Sequence, residues 1–205
     1  MPVIIDYGVG NLFSLTSSFK FIGQDVTVTS DKQKIADADR LILPGVGAFS
    51  DAAKALKETG MYEVVIEEAR KGKPLLGICL GMQMLLSKSY EYGEHDGLNL
   101  IPGNVKPLAP VIGSDLKVPH IGWNSLQFPE NKAKSKIYKY VEPGEHVYFV
   151  HSYYGADCSE YVSAYTEYGA DITASVEFEN VYGTQFHPEK SGKTGLKILK
   201  AFCEL

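Results

Sequence analysis

Two short stretches of the chain carry residue types that together perform acyl transfer. The first is Gly77-Ile78-Cys79-Leu80-Gly81, a cysteine with a glycine two residues away on each side. The apolar run Pro74-Leu75-Leu76 precedes it, and Met82-Gln83-Met84-Leu85-Leu86, of helix-forming composition, follows. That order is the strand–turn–helix setting of a nucleophile elbow, with sulfur where hydrolases carry a serine oxygen. The sharp turn forces an unfavourable backbone at the nucleophile, and the glycines keep side-chain bulk out of it. The helix that follows aims its first amides and its dipole at the sulfur, which favours thiolate over thiol. Taken alone, the pentapeptide also admits a buried cysteine that merely lies between glycines.

The second stretch is Thr184-Gln185-Phe186-His187-Pro188-Glu189-Lys190-Ser191, after the strand-like Val181-Tyr182-Gly183. Near the end of an extended segment, residues two apart project to the same side. His187 and Glu189 are therefore expected to act as base and orienting carboxylate, with Pro188 fixing the backbone between them. Cysteine, histidine and carboxylate make the set that nucleophilic acyl transfer requires. The histidine takes the thiol proton and returns it to the leaving amine, while the carboxylate holds the imidazole tautomer.

These residues need a rigid frame, and the chain has material for one. Its 205 residues suit one domain spanning 1–205, and 44% hydrophobic with 22% charged residues is neither a disordered nor a membrane composition. A formal charge of −5 and the lack of a basic cluster give no case for nucleic-acid binding. Three widely spaced cysteines, Cys79, Cys158 and Cys203, do not form a disulfide framework and point to a reducing compartment. Cys158, in a polar stretch, and Cys203, near the end, read as bystanders, and no ligand spacing suggests zinc. Neither a signal peptide nor a membrane-spanning run is recognisable, so cytoplasm is the expected location.

The first half alternates strands and helices. Val3–Ile5 reads as a strand, and Gly8 and Gly10 turn the chain into Asn11, a good helix cap. Leu12, Leu15, Phe19 and Ile22 follow at helical spacing and Gly23 closes the element. Asp25–Thr29 reads as the next strand, and Leu41–Leu43, wholly apolar, as a central one. Ala48–Lys57 and Tyr62–Lys71 read as helices before Pro74–Ile78 returns to the sheet. This order predicts a parallel α/β sheet with the active site at the carboxyl ends of its strands. From Leu98 onward Tyr, Val, Pro and Gly are richer, which predicts shorter, partly antiparallel strands, and Ser191–Leu205 forms a closing helix.

Two glycine clusters remain. Pro44-Gly45-Val46-Gly47-Ala48-Phe49 lacks the lysine and hydroxyl of a phosphate loop, and Asp6-Tyr7-Gly8-Val9-Gly10-Asn11 lacks the third glycine of a dinucleotide fingerprint. A better use for the first is to bring a backbone amide to the elbow. Acyl transfer develops an oxyanion, and the expected donors are Leu80 N–H together with Val46 or Gly47 N–H.

The elbow, the Pro44–Phe49 loop and the Phe186–Ser191 segment resemble the class I (triad) glutamine amidotransferases. Within that family, Asp6–Leu12, Pro119-His120-Ile121-Gly122-Trp123-Asn124 and His187–Ser191 are similar to the glutaminase subunits of imidazole glycerol phosphate synthase. The likeness runs from residue 3 to the C-terminus. It implies the flavodoxin-like class I amidotransferase fold: a mostly parallel central sheet flanked by helices, with an additional partly antiparallel sheet. It also implies hydrolysis of glutamine to glutamate and ammonia through a thioester on Cys79, without cofactor or metal. By the same match Gln83 and Glu91 hold the substrate's amino-acid end, and Gly47, Tyr148, His151 and Ser152 line the pocket. From the residues alone, Gln83 and Glu91 also fit a solvated helix face, and Tyr148 fits core packing.

The resemblance further implies a (β/α)8-barrel cyclase as heterodimer partner in histidine biosynthesis. That cyclase joins the ammonia to a phosphorylated ribulosyl-formimino nucleotide, giving imidazole glycerol phosphate and an aminoimidazole carboxamide ribotide. Asn11, Trp123 and Lys190 are expected to face it. Trp123 is the single tryptophan, a residue enriched at binding hot spots, though a partly buried core anchor is the competing reading. The Gly45–Val46 peptide is expected to reorient to complete the oxyanion hole. Other readings are a different triad glutaminase, such as that of anthranilate or aminodeoxychorismate synthase, a cysteine peptidase of similar architecture, or a binding subunit with a decayed site. The His-x-Glu pair disfavours the peptidase, and the complete Cys79, His187 and Glu189 set argues against decay.

Overall fold

In the computed structural model, which describes residues 1–205, the apolar runs of the first half become strands buried on both faces. Strands β1 (Pro2–Ile5), β2 (Thr27–Thr29), β3 (Arg40–Leu43) and β4 (Leu75–Ile78) alternate with helices α1 (Leu12–Phe21), α2 (Lys32–Ala36), α3 (Phe49–Glu58) and α4 (Met61–Arg70). Helix α5 (Leu80–Leu85) follows β4 after a single residue, Cys79. The second half adds β5 (Lys88–Ser89), β6 (His95–Asp96), β7 (Asn104–Pro107), β8 (His120–Ser125), β9 (His146–His151), β10 (Tyr153–Ala156), β11 (Val162–Glu167), β12 (Asp171–Phe178) and β13 (Val181–Thr184). Helix α6 (Gly192–Cys203) closes the chain.

Seven strands form the main sheet in the order β11-β12-β13-β4-β3-β1-β2. The five from β13 to β2 are parallel, and β12 and β11 extend the sheet antiparallel. Side chains alternate across it with the period of two that strands impose. Val3, Ile5, Leu41, Leu43 and Leu75 pack on one side with Phe49, Leu56 and Val65. Ile4, Ile42, Leu76 and Ile78 pack on the other with Leu15, Phe19, Ile198 and Phe202. Helices cover both faces, which is why these strands read as unbroken apolar runs. A four-stranded sheet, β10-β7-β5-β6, and a two-stranded ribbon, β8-β9, lie outside it. No helix is long and apolar enough to cross a membrane.

Several local readings need correction. The second strand is Thr27–Thr29 rather than Asp25–Thr29, paired only with β1 at the sheet edge. Helix α2 leaves no periodic signal in the sequence, since five residues are too few to show one. Its signal is Asp31, whose carboxylate accepts the N–H groups of Gln33 at 2.9 Å and Lys34 at 3.4 Å. Cys158 does lie in a polar loop but is itself buried: its polar neighbours Asp157, Ser159 and Glu160 face outward while the thiol faces in. Burial also pushes that thiol up to about 11, well away from thiolate.

The strand order reverses between β1 and β3, the place where open α/β sheets bind ligands at the carboxyl ends of their strands. The segments that leave β1, β3, β4 and β13 at that end carry Tyr7, Pro44–Gly47, Cys79 and His187.

Candidate active site

Cys79 occupies the single-residue turn between β4 and α5 with φ 54° and ψ −111°. A non-glycine residue in this region stores on the order of 1–3 kcal/mol of strain, which the surroundings must hold. They do so through two backbone bonds. Cys79 N–H donates to Thr184 O at 2.7 Å, and Cys79 O accepts Gln83 N–H at 3.2 Å. The flanking glycines serve packing rather than torsion, because neither has a positive φ. A Cβ on Gly81 would lie 1.9 Å from Leu43 O, and one on Gly77 would lie 2.6 Å from Gly81 O. Elbow and strand β3 are thus in backbone contact, with Cys79 left 8% exposed. Leu80 N–H, at the start of α5, has no acceptor within the helix.

His187 lies two residues beyond Gln185, which is itself buried. Its backbone is bracketed by β9: His187 N–H donates to Tyr148 O at 3.0 Å, and Ser191 Oγ donates to His187 O at 2.6 Å while accepting Tyr148 N–H at 2.9 Å. Nδ1 meets Glu189 Oε1 at 2.8 Å, with both side chains nearly sealed from solvent. An ionised carboxylate can only accept, so Nδ1 carries the proton and Nε2 is left for the hydrogen bond to Cys79. Strand alternation, the route the i, i+2 spacing suggests, does not make this pairing. Pro188–Lys190 forms a 3₁₀ turn, with Pro188 at its first position, and that turn brings Glu189 back under the ring. Burial disfavours a charged imidazole here, but hydrogen bonds to the Cys79 sulfur and the Glu189 carboxylate outweigh it and raise His187 from 6.5 to about 9.

Cys79 and His187 open onto a cavity of about 410 Å³. Val46, Gly47 and Leu80 line it, as do Gln83 and Glu91. His151 and Ser152 reach it from the end of β9, and Lys190 from the 3₁₀ turn. Gln83 is not on a solvated face: α5 is buried throughout, and Gln83 Nε2 donates to Tyr153 O and Gln185 Oε1, each at 3.1 Å. Glu91 lies in the turn between β5 and β6 rather than on a helix, and its Oε2 accepts Phe49 N–H at 2.6 Å. It thereby caps α3, whose own N-cap residue Ala48 offers no side-chain acceptor. Tyr148 is not part of the cavity lining. Its ring packs edge-on against Trp123 at 6.0 Å, and its backbone holds His187.

Sequence patterning gives no signal for several other residues at this end. Pro119, Val150 and Tyr153 also line the cavity, and Gln185 Nε2 lies 3.9 Å from Cys79 Sγ. His151 Nδ1 donates to Tyr153 O at 2.9 Å, and its Nε2 meets His120 Nδ1 at 3.1 Å. Burial, with His120 and His187 close by, lowers His151 to about 4 against the pull of the Tyr153 carbonyl, so the ring is neutral. Of the residues expected to face a partner, Trp123 is 52% exposed beside the exposed Ile121, and Lys190 is exposed. Asn11 is half-buried and caps α1 through Ser14 N–H at 3.3 Å.

The family model described as "Glutamine amidotransferase class-I" matches residues 3–204. Among curated proteins, the "Imidazole glycerol phosphate synthase subunit HisH" of Caldanaerobacter subterraneus subsp. tengcongensis is 49% identical over 203 residues, covering 98% of this chain and 97% of the relative. The protein of the same description from Methanothermobacter thermautotrophicus is 48% identical over 205 residues, covering 100% and 98%. Among solved structures, one described as a glutamine amidotransferase superposes with TM-score 0.75 at 20% identity, covering 98% of this chain and 97% of its own. PurLQS from Thermotoga maritima gives 0.74 at 19% identity, covering 99% and 97%, a likeness of fold.

Proposed function

The chain belongs to the glutamine amidotransferase class-I family and groups with its HisH subunits, and we propose that it hydrolyses glutamine through Cys79, His187 and Glu189 as the glutaminase part of imidazole glycerol phosphate synthase. The observation that carries the assignment of roles is the meeting of the strained elbow cysteine with a buried His187–Glu189 pair, 2.8 Å between Nδ1 and Oε1, at one cavity.

The Cys79 sulfur attacks the side-chain amide carbon of glutamine, and the carbonyl electrons move to oxygen. Leu80 N–H and a second donor from Val46 or Gly47 stabilise that oxyanion. One such donor is worth about 3–4 kcal/mol of barrier where it has been removed in hydrolases. His187 Nε2 gives its proton to the departing nitrogen, so ammonia leaves and a thioester remains. Water then gives a proton to His187 as it attacks the thioester, a second oxyanion forms and collapses, and glutamate leaves with the thiol restored. Glu189 keeps the ring oriented through both steps. Glu91 and Gln83 hold the amino-acid end of the substrate, Glu91 by charge and Gln83 by its amide, with His151 and Ser152 along the same wall.

Ammonia is nucleophilic only while unprotonated, so it passes directly to a (β/α)8-barrel cyclase docked over the site. Trp123, Asn11 and Lys190 face that partner. The Gly45–Val46 peptide reorients to complete the oxyanion hole when the cyclase binds its nucleotide. Glutamate release from glutamine tests this reading, measured for the chain alone and with a barrel cyclase subunit and its nucleotide substrate. Cys79→Ala serves as blank. Strong stimulation that the variant abolishes is expected. Equal, substantial release without any partner would keep the triad but overturn the assignment to this synthase.

A further inference from the structure

The Pro44–Gly47 loop is held beside the elbow by a phenol from a distant part of the chain. Tyr7, just past β1, is 2% exposed, and its hydroxyl donates to Pro44 O at 2.6 Å. The segment carrying Tyr7 fits closely against Pro44. Asp6 Oδ1 accepts Gly8 N–H at 3.1 Å, and Gly10, at φ +129°, sits where a Cβ would lie 2.9 Å from Pro44 Cβ. On its other side the loop rests on the elbow: a Cβ on Gly45 would lie 2.7 Å from Gly81 N and 2.8 Å from Leu80 Cβ.

A peptide unit is planar, so fixing the Pro44 carbonyl also fixes the direction of Gly45 N–H. Proline locks its own φ as well. The first free rotations of the loop are therefore those of Gly45, and the residues beyond it, Val46 (43% exposed) and Gly47 (φ +93°), take up any movement. We propose that Tyr7 is a positioning residue for glutamine hydrolysis: its hydroxyl anchors the Pro44–Gly45 peptide so that the Val46 and Gly47 amides are presented to the oxyanion beside Leu80 N–H. The proposal rests on the glutaminase reading above. Burial, reinforced by the nearby Cys79 sulfur, pushes the ionisation of the phenol well up, so it remains a donor throughout the working range of pH.

Tyr7→Phe keeps the ring and removes one oxygen, leaving the buried Pro44 carbonyl without its donor. Parent and variant, each assembled with the barrel cyclase and its nucleotide substrate, are compared for kcat, KM and thermal midpoint. Cys79 alkylation by iodoacetamide, a displacement at saturated carbon that forms no oxyanion, is the control for the nucleophile. Amide hydrogen exchange across residues 44–47 reads the anchoring itself. The expected result is a folded variant with kcat down about tenfold or more, KM and alkylation within about threefold by the same scale, and faster exchange at Val46 and Gly47. An unchanged kcat with unchanged exchange overturns the proposal. So does a variant that fails to fold, or one in which alkylation slows in step with kcat, because either marks a general structural role. A parent complex that releases no glutamate defeats the glutaminase reading instead, and unchanged exchange in the variant then still overturns the anchoring.

Discussion

Glu189→Gln isolates the charge of the orienting carboxylate. In the parent, Glu189 Oε1 accepts from His187 Nδ1 at 2.8 Å, and the second oxygen, Oε2, is buried without a partner. A glutamine of the same shape can keep a carbonyl oxygen toward Nδ1 by placing its amide nitrogen where Oε2 was, so the ring stays in place and only the charge is lost. A buried hydrogen bond to a charged group contributes about 1.5–3 kcal/mol. The neutral hydrogen bond that replaces it still contributes about 0.5–1.5 kcal/mol, so the charge alone accounts for about 1–1.5 kcal/mol, a loss of about 5- to 13-fold in kcat at about 1.4 kcal/mol per factor of ten. KM should barely move, since Glu189 is absent from the cavity lining. Placing an amide N–H group without an acceptor at the former Oε2 position costs about 1–3 kcal/mol of stability besides. The His187 titration should fall from about 9, because one of the two hydrogen bonds that raise it is weakened. The assays are glutamate release in the complex with cyclase and nucleotide, and the histidine Cε1–H signal followed by NMR across pH. A variant with kcat within threefold of the parent and an unmoved His187 midpoint would make Glu189 a structural residue only.

Two further perturbations test the frame. Gly81→Ala places a methyl group 1.9 Å from Leu43 O and 3.3 Å from Pro44 C, both backbone atoms, so it should destabilise by about 3 kcal/mol or more. Denaturant melts against Gly113→Ala, where nothing lies within 4 Å, measure the effect, and equal midpoints for the two would contradict the packing described. His151 is held neutral, lowered from 6.5 to about 4, so its contribution to stability is complete above 6.5 and is lost as pH falls through about 4. That difference is on the order of 3 kcal/mol, about 6–12 °C in melting temperature for a chain of this size. His151→Asn should therefore lose less stability than the parent between pH 7 and pH 4, and parallel curves would rule out His151 as the source. His187, raised to about 9, acts in the opposite sense: its contribution is complete below 6.5 and lost as pH rises through about 9.

The features legible in the residues alone are local. Leu41–Leu43 had to be a central strand because every residue is apolar, and Phe19, one turn from Leu15, had to face the core. The glycines around Cys79 announced a turn too crowded for side chains, and the structure shows the crowding as a backbone contact with β3. Five residues were too few for α2 to show a period, and the outward polar neighbours of Cys158 concealed its burial. Which of these pieces meet is set by how the sheet assembles. Cys79 and His187 are brought together because β4 and β13 are parallel neighbours, with Ile78 opposite Thr184. The His187–Glu189 pair is formed by a 3₁₀ turn that i, i+2 spacing cannot distinguish from an extended strand. Tyr7 reaches Pro44 because β1 and β3 are adjacent, and Tyr148, expected at the substrate, instead holds His187 by its backbone. Periodicity and turn chemistry act over a few residues and leave a mark in the sequence. Strand adjacency depends on how buried faces fit together across the whole sheet, and no short stretch of the chain records that.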